Sequence, residues 1–204
     1  ANDDTFNVGN SLLDTSIIGG TGTDTLALLA GSAVYTLTAQ NAGTLNDSVF
    51  SAIENLSGTA NADVFNLAFN LTGTASGAGG NDAFNLAAGA SANVAGGTGS
   101  DTIAADPAQA STFDVTAANA GTVANGAGTV SFIEVENLTG SGAIDTFNLN
   151  ASLTGTASGG AGDDVFATAA GVNAAVAGND GNDELRGANV AAVYTVNAAN
   201  AGSL

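Results

Sequence analysis

Apolar and polar residues alternate in short stretches along the whole chain, as in Thr146-Phe-Asn-Leu149 and Val193-Tyr-Thr-Val196. A period of two residues is typical of a β-strand, because successive side chains point to opposite faces. No stretch shows the stripe of an amphipathic helix, which repeats about every 3.6 residues. The 29 glycines in 204 residues also weigh against long helices. The pattern therefore predicts an all-β protein with no significant helix.

Aspartates precede many of these stretches and return at a fixed spacing. Their position numbers rise by 19 at each step in Asp63, Asp82 and Asp101 and in Asp145, Asp164 and Asp183, and by 20 from Asp4 to Asp24. Glycine turns with a period of about 20 residues are typical of β-solenoid coils. We therefore expect a parallel β-solenoid of the β-helix or β-roll type, with about 19–20 residues per coil and roughly ten coils. The aspartates should stack along one edge of it.

Two stretches are longer than this period. The position numbers of Asp101 and Asp145 differ by 44, and those of Asp24 and Asp63 differ by 39. The longer stretch has room for two longer coils with an insertion near Asn125-Gly-Ala-Gly128, most of which the other stretch lacks. Such length changes normally lie in loops on one face of a solenoid, and we expect loops here.

A longer repeat contains the short one. Leu71–Gly77 returns as Leu153–Gly159 at an offset of 82, and Tyr35–Gly43 returns with changes as Phe113–Gly121 and as Tyr194–Gly202. We expect one solenoid, residues 1–204, with about two and a half units of about 80 residues: 1–78, 79–160 and a truncated 161–204. Neither end resembles the polar cap that blocks association of solenoid edges, which predicts a longer parent array or end-to-end stacking of subunits.

Charge and composition exclude several function classes. The chain has 19 Asp and Glu residues against one cation, Arg186, for a net charge of −18, and it has no His or Cys. It therefore lacks a Ser-His or Cys-His nucleophile pair and any imidazole or thiolate metal ligand. One cation cannot neutralise phosphates, so we expect no nucleic-acid partner and no anionic membrane surface. No apolar run reaches the ~20 residues of a membrane span. The charge favours a cation as the partner.

Glycine-rich turns precede five of the aspartates. Gly19–Leu26, Gly96–Ile103 and Gly159–Phe166 fit G-G-x-G-x-D-x-U, where U is a large apolar residue, and Gly77–Phe84 and Gly178–Leu185 fit with one substitution. Glycine permits positive φ, so a tight turn can direct several carbonyl oxygens at one point. The aspartate adds an anionic oxygen, and Ca²⁺ takes six to eight oxygen ligands. Stacked carboxylates about 5 Å apart also repel each other by about 3 kcal/mol at an effective dielectric of about 20.

This pattern resembles the haemolysin-type calcium-binding repeat, also called the RTX repeat. Together with the motifs F-x-x-(I/V)-E-N-L-(S/T)-G and A-x-x-D-x-F-N-L, the chain looks like the repeat arrays of very large bacterial adhesins and exoproteins. The resemblance implies a calcium-stiffened rod, spacer or fibre of an adhesin, surface layer or filament, outside the cell or on its surface. The start at Ala-Asn-Asp-Asp, without Met or a basic segment, predicts that any secretion signal is removed or lies outside this sequence.

The resemblance also implies about five Ca²⁺ sites between successive coils. Their ligands would be Asp4, Asp24, Asp63, Asp82, Asp101, Asp145, Asp164 and Asp183. Tandem nonapeptides load both edges in the commonest members of the family, whereas one Gly–Asp turn per coil implies metal on one edge only. The turns Gly58–Asp63 and Gly140–Asp145 depart most from the motif.

Other interpretations stay open from the residues alone. The turns are metal-free in one of them, because Asp, Asn and Gly are common turn residues in any case. A glycan- or ice-binding solenoid is another, although Thr21-Gly-Thr23 and Thr98-Gly-Ser100 are too far apart to lie on adjacent coils.

A polysaccharide-active β-helix is the third alternative. It would use Glu54, Glu134 or Glu136, but such an enzyme needs paired carboxylates at a cleft, and we expect no enzymatic activity. Two smaller expectations concern an outward ladder of Asn66 and Asn85, which share the aspartate spacing, and an ion pair of Arg186 with Asp183 or Glu184.

Overall fold

The structure is a computed structural model that describes residues 2–9 and 16–188. In these two ranges all regular structure is β, with 21 strands and no helix. The strands are β1 (Thr5–Val8), β2 (Ser16–Ile18), β3 (Thr25–Leu28), β4 (Val34–Ala39), β5 (Ala42–Leu45), β6 (Ser48–Ser51), β7 (Asn55–Ser57), β8 (Val64–Leu67), β9 (Thr74–Ser76), β10 (Ala83–Leu86), β11 (Ala92–Ala95), β12 (Thr102–Ala104), β13 (Ser111–Ala117), β14 (Ala120–Asn125), β15 (Gly128–Ile133), β16 (Asn137–Thr139), β17 (Thr146–Leu149), β18 (Thr156–Ala161), β19 (Val165–Thr168), β20 (Ala175–Asp180) and β21 (Glu184–Arg186).

The strands form two sheets, and the chain passes from one sheet to the other along most of its length. An 11-stranded sheet has the order β1-β3-β7-β9-β11-β15-β14-β13-β17-β19-β21, and a 10-stranded sheet has the order β2-β6-β5-β4-β8-β10-β12-β16-β18-β20. Strands one coil apart pair in parallel, with Val64 opposite Ala83 and Thr146 opposite Val165. The partners in both pairs are separated by the same 19 positions as Asp63 and Asp82. This pairing confirms the predicted all-β, solenoid-type fold and its coil length.

The hydrophobic core lies between the two sheets. The apolar residue two positions after each stacked aspartate points inward, so that the rings of Phe65 and Phe84 stack with centroids 4.8 Å apart. Phe113 and Phe147 stack in the same way at 4.4 Å. Tyr35 spans the core from β4, and its hydroxyl donates to the Ser57 carbonyl of the opposite sheet at 2.8 Å. Burial raises the pKa of this hydroxyl far above its usual range.

Two meanders interrupt the parallel pattern. The strands β4, β5 and β6 pair antiparallel in one sheet, and β13, β14 and β15 do so in the other. The extra residues of the two long stretches therefore enter the sheets as strands, and the prediction of loops on one face was wrong.

The chain reverses in the first meander at Asn41, whose φ of 55° is left-handed. In β5, a β-carbon at Gly43 would collide with the Thr36 carbonyl oxygen of β4, so the close approach of the two strands requires glycine there. The third copy of this segment, residues 194–202, lies outside the described residues. No helix in the described ranges is long and apolar enough to cross a membrane.

Candidate metal centre

The eight aspartates of the predicted sites lie in the turns that precede strands, and most are deeply buried. Six of them have side chains at most 2% exposed: Asp24, Asp63, Asp82, Asp101, Asp145 and Asp164. Asp183 is half-buried, and Asp4, in the first coil described, is exposed. Buried carboxylates need hydrogen-bond donors or a cation, because desolvation of a charge is costly.

These aspartates stack as the spacing predicts. In five of them the Oδ1 atom accepts the backbone N–H of the aspartate one coil earlier. The donor and acceptor pairs are Asp4 to Asp24 (2.7 Å), Asp63 to Asp82 (2.8 Å), Asp82 to Asp101 (2.8 Å), Asp145 to Asp164 (2.8 Å) and Asp164 to Asp183 (3.0 Å). We call each continuous run of these bonds a carboxylate ladder.

Glutamates end two of the ladders. The N–H of Asp24 donates to Glu54 Oε2 at 2.8 Å, and the N–H of Asp101 donates to Glu136 Oε2 at 2.9 Å. The Oε1 atom of Glu54 accepts the side-chain N–H of Asn41 at 3.0 Å, and Asn119 binds Glu136 in the same way at 2.9 Å. Both carboxylates are therefore held inside a hydrogen-bond network. The sequence offered a signal for this role, because the E-N-L motif returns at the same offset as the long repeat.

The ladders lie on two edges of the molecule. We call the turns that lead into the 10-stranded sheet the first edge, and those that lead into the 11-stranded sheet the second edge. Asp63, Asp82 and Asp101 lie on the first edge. The second edge holds Asp4, Asp24, Asp145, Asp164 and Asp183.

The prediction of a single edge was therefore wrong. Its physical reason is the meander. Between Asp24 and Asp63 the chain passes through β3, the meander and β7, which amounts to one and a half coils. Because of the extra half coil, Asp63 lies on the opposite edge from Asp24. The second meander adds another half coil, so Asp145 lies on the same edge as Asp24.

In five turns the second carboxylate oxygen is buried and accepts no hydrogen bond from the residues that the structure describes. These oxygens are the Oδ2 atoms of Asp24, Asp82, Asp101, Asp164 and Asp183, and we call their turns the open turns. A β-carbon added to Gly77 would lie within 2.5 Å of two oxygens, Asp82 Oδ2 and the carbonyl oxygen of Gly96 in the next coil. Around Gly159, it would stand within 2.8 Å of Asp164 Oδ2 and the Gly178 carbonyl oxygen.

Two acceptor oxygens therefore face each other across the first glycine of each of these two turns. The arrangement is unfavourable for the Oδ2 atom, because this buried oxygen has no hydrogen-bond donor among the described residues. A hard cation that takes oxygen ligands satisfies both acceptors at once. The donor set of the open turns thus fits Ca²⁺. In the described ranges no three acidic side chains come together, so carbonyl oxygens and water would supply the remaining ligands.

Burial and repulsion make the carboxyls of Asp82, Asp101 and Asp164 weaker acids. Burial raises the pKa of Asp82 from 3.8 to about 6; the N–H of Asp63 counteracts this, and the charges of Asp101 and Asp63 add to the rise. The pKa values of Asp101 and Asp164 are raised as well, with burial as the largest cause. The chain's single cation does not help, because Arg186 pairs with the exposed Glu184 at 2.7 Å. The ion pair predicted for Arg186 is therefore the one with Glu184.

The outer face of the 10-stranded sheet carries the predicted Asn ladder. The side-chain N–H of Asn85 donates to Asn66 Oδ1 at 2.9 Å, and Asn66 in turn donates to Thr36 Oγ1 at 3.1 Å. Thr21 and Thr98, the candidates for a flat threonine array, lie instead in exposed turns outside the strands. No protein-family model matches this chain, and no curated protein matches it.

Proposed function

We propose that the chain is a calcium-stabilised structural repeat region, a rod or spacer in a bacterial extracellular adhesin, surface layer or filament. The observation that carries the proposal is the set of five buried Oδ2 atoms in the open turns, each without a hydrogen-bond donor. An ion held between such an oxygen and a carbonyl of the next coil would tie two coils together. Five divalent ions would reduce the net charge from −18 to about −8.

The rest of the molecule supports a structural role. The core repeats the same stacked rings from coil to coil, and the ladders serve to hold coils together. The described surface has an open groove of about 490 Å³. Leu29, Thr59 and Thr98 are among its lining residues, which include no charged or aromatic side chain. Such a lining does not favour the glycan-binding or enzymatic alternative.

Thermal unfolding with and without calcium tests the proposal. We expect CaCl₂ to raise the melting temperature well above its value in EDTA and native mass spectrometry to count about five bound ions, the number of open turns. NaCl at matched ionic strength is the control, because it screens carboxylate repulsion without bridging coils. Equal melting temperatures in CaCl₂, NaCl and EDTA would contradict the calcium claim.

A further inference from the structure

Apart from the exposed Asp4, seven carboxylates are stacked, and two of them differ from the other five. In the turn before Asp63, the backbone N–H of Thr59 donates to Asp63 Oδ2 at 2.6 Å. In the turn before Asp145, the N–H of Ser141 donates to Asp145 Oδ2 at 2.6 Å, and its hydroxyl donates to the same atom at 2.9 Å. We call these two the closed turns, because the protein itself supplies the donor that the open turns lack.

The backbone conformation four residues before the aspartate separates the two kinds of turn. In all five open turns this residue is left-handed: Gly20 (φ 101°), Ala78 (φ 70°), Gly97 (φ 102°), Gly160 (φ 103°) and Asn179 (φ 75°). Thr59 and Ser141 are not among the described residues with positive φ. The left-handed residues do not present their N–H to the carboxylate, whereas Thr59 and Ser141 do.

The hydroxyl side chains hold the closed turns in this conformation. Thr59 Oγ1 accepts the N–H of Asn61 at 3.0 Å and donates to the Gly31 carbonyl at 2.8 Å. Ser141 Oγ accepts the N–H of Ala143 at 2.9 Å. The bonds from Asn61 and Ala143 are local, and local bonds between a hydroxyl and the backbone stabilise a turn without a left-handed residue.

The first oxygen of each closed carboxylate is satisfied as well. Asp63 Oδ1 accepts the N–H of Ala33, and Asp145 Oδ1 accepts the N–H of Ser111. Both donors precede or begin the first strand of a meander. Each closed carboxylate therefore has protein donors on both oxygens and joins a meander to the coil that follows it.

We propose that Asp63 and Asp145 take no cation, and that the closed turns are calcium-independent anchors of their repeat units. The assignment of ions to the open turns rests on the proposed function, whereas the self-sufficiency of the closed turns rests on their own hydrogen bonds. Each meander and its closed turn then hold together without metal, and calcium completes the coils that follow.

Asparagine substitution distinguishes the two classes within one ladder. In Asp82→Asn, the new amide replaces Oδ2 and donates to the facing Gly96 carbonyl, so the melting temperature in EDTA should rise by about 2–4 °C. In Asp63→Asn, the amide meets the N–H of Thr59, donor against donor, so the melting temperature in EDTA should fall by at least ~2 °C. Asp164→Asn and Asp145→Asn form the matched pair in the ladder of Asp145, Asp164 and Asp183.

Calcium stoichiometry by native mass spectrometry completes the test. Asp82→Asn should bind one ion fewer than the unsubstituted protein, and Asp63→Asn should bind the same number. Loss of one ion in Asp63→Asn would overturn the inference and leave the proposed function standing. If the unsubstituted protein binds no calcium, the proposed function fails, and the opposite signs of the two shifts in EDTA still decide whether the closed turns are self-sufficient. Melting-temperature shifts of the same sign in Asp82→Asn and Asp63→Asn would overturn the self-sufficiency of the closed turns.

Discussion

The backbone N–H of Asp101 donates to Glu136 Oε2 at 2.9 Å, and this bond ends the ladder that begins at Asp63. Glu136 stands at the position where the next aspartate of the ladder would lie. It directly precedes β16, the first strand after the second meander. Its longer side chain reaches back to the ladder and also binds Asn119 at the meander's first turn, at 2.9 Å. The pair thus connects a ladder to a meander.

Glu136→Gln should destabilise the protein. The amide keeps one oxygen for Asp101 but turns a donor toward the Asn119 side chain, which already donates there. We expect the free energy of unfolding to fall by about 1–2 kcal/mol in chemical denaturation. Glu134→Gln is the control, since Glu134 is exposed, and it should change the free energy of unfolding by less than about 0.5 kcal/mol. Equal effects of the two substitutions would contradict the ladder-end role.

The calcium-free protein should be more stable in mild acid than at neutral pH. The pKa of Asp82 is about 6 in the folded state against an ordinary 3.8, so the folded state binds this proton more tightly than the unfolded chain. Protonation therefore favours folding, and stability falls as the pH rises from about 4 to about 6. The raised pKa values of Asp101 and Asp164 act in the same direction.

Denaturation curves in metal-free buffers from about pH 4 to about pH 7 measure this dependence. Asp82→Asn removes one of the titrating groups and should flatten the profile. Stability that increases over this pH range would show that the folded state does not raise these pKa values.

Gly77→Ala should weaken both the fold and one calcium site. The new β-carbon would collide with Asp82 Oδ2 and the Gly96 carbonyl oxygen, the two atoms proposed to share an ion. We expect a loss of about 1–3 kcal/mol in the free energy of unfolding and one bound ion fewer by native mass spectrometry. Gly9→Ala is the control, because, its chain neighbours apart, no atom of the described residues lies within 4 Å of its β-carbon position. An unchanged number of bound ions in Gly77→Ala would show that no ion binds between Asp82 Oδ2 and the Gly96 carbonyl oxygen.

Phe147→Ala should destabilise the protein equally with and without calcium. Its ring is fully buried and stacks between Phe113 and Phe166 at 4.4 and 4.7 Å. Removal of such a ring costs about 3–5 kcal/mol, and no ladder atom is touched. Phe69→Ala, at a ring that is 47% exposed, should cost about 0.5 kcal/mol or less. A cost for Phe147→Ala that differs between CaCl₂ and EDTA would mean that core and metal are coupled.

The sequence predicted the coil and its stacking because one register controls both. Phe65 and Phe84 fill the same core position in successive coils, and Asp63 and Asp82 stack as a consequence. The meanders were not predictable, since the positions along β4 and β5 alternate between more and less buried, as they do in a parallel strand. The direction of such a strand is decided by its turn and by distant pairing, and the error about the edges followed from this.

The closed turns were missed for a related reason. Thr59 and Ala78 occupy equivalent positions four residues before an aspartate, and neither is glycine. Ala78 is nevertheless left-handed at φ 70°, whereas Thr59 is not. The hydroxyl bonds of Thr59 hold its backbone in the conformation that presents the N–H to the carboxylate. The side chain and the φ angle at this one position therefore decide whether the carboxylate has a donor.

The transfer of the ladders between edges has a mechanical consequence. A beam whose spacing contracts along one edge curves toward that edge. The ladder of Asp63, Asp82 and Asp101 and the ladder of Asp145, Asp164 and Asp183 lie on opposite edges. If calcium binds as proposed and changes the spacing within each ladder, the two local bends would oppose each other, and the net direction of the molecule would stay the same.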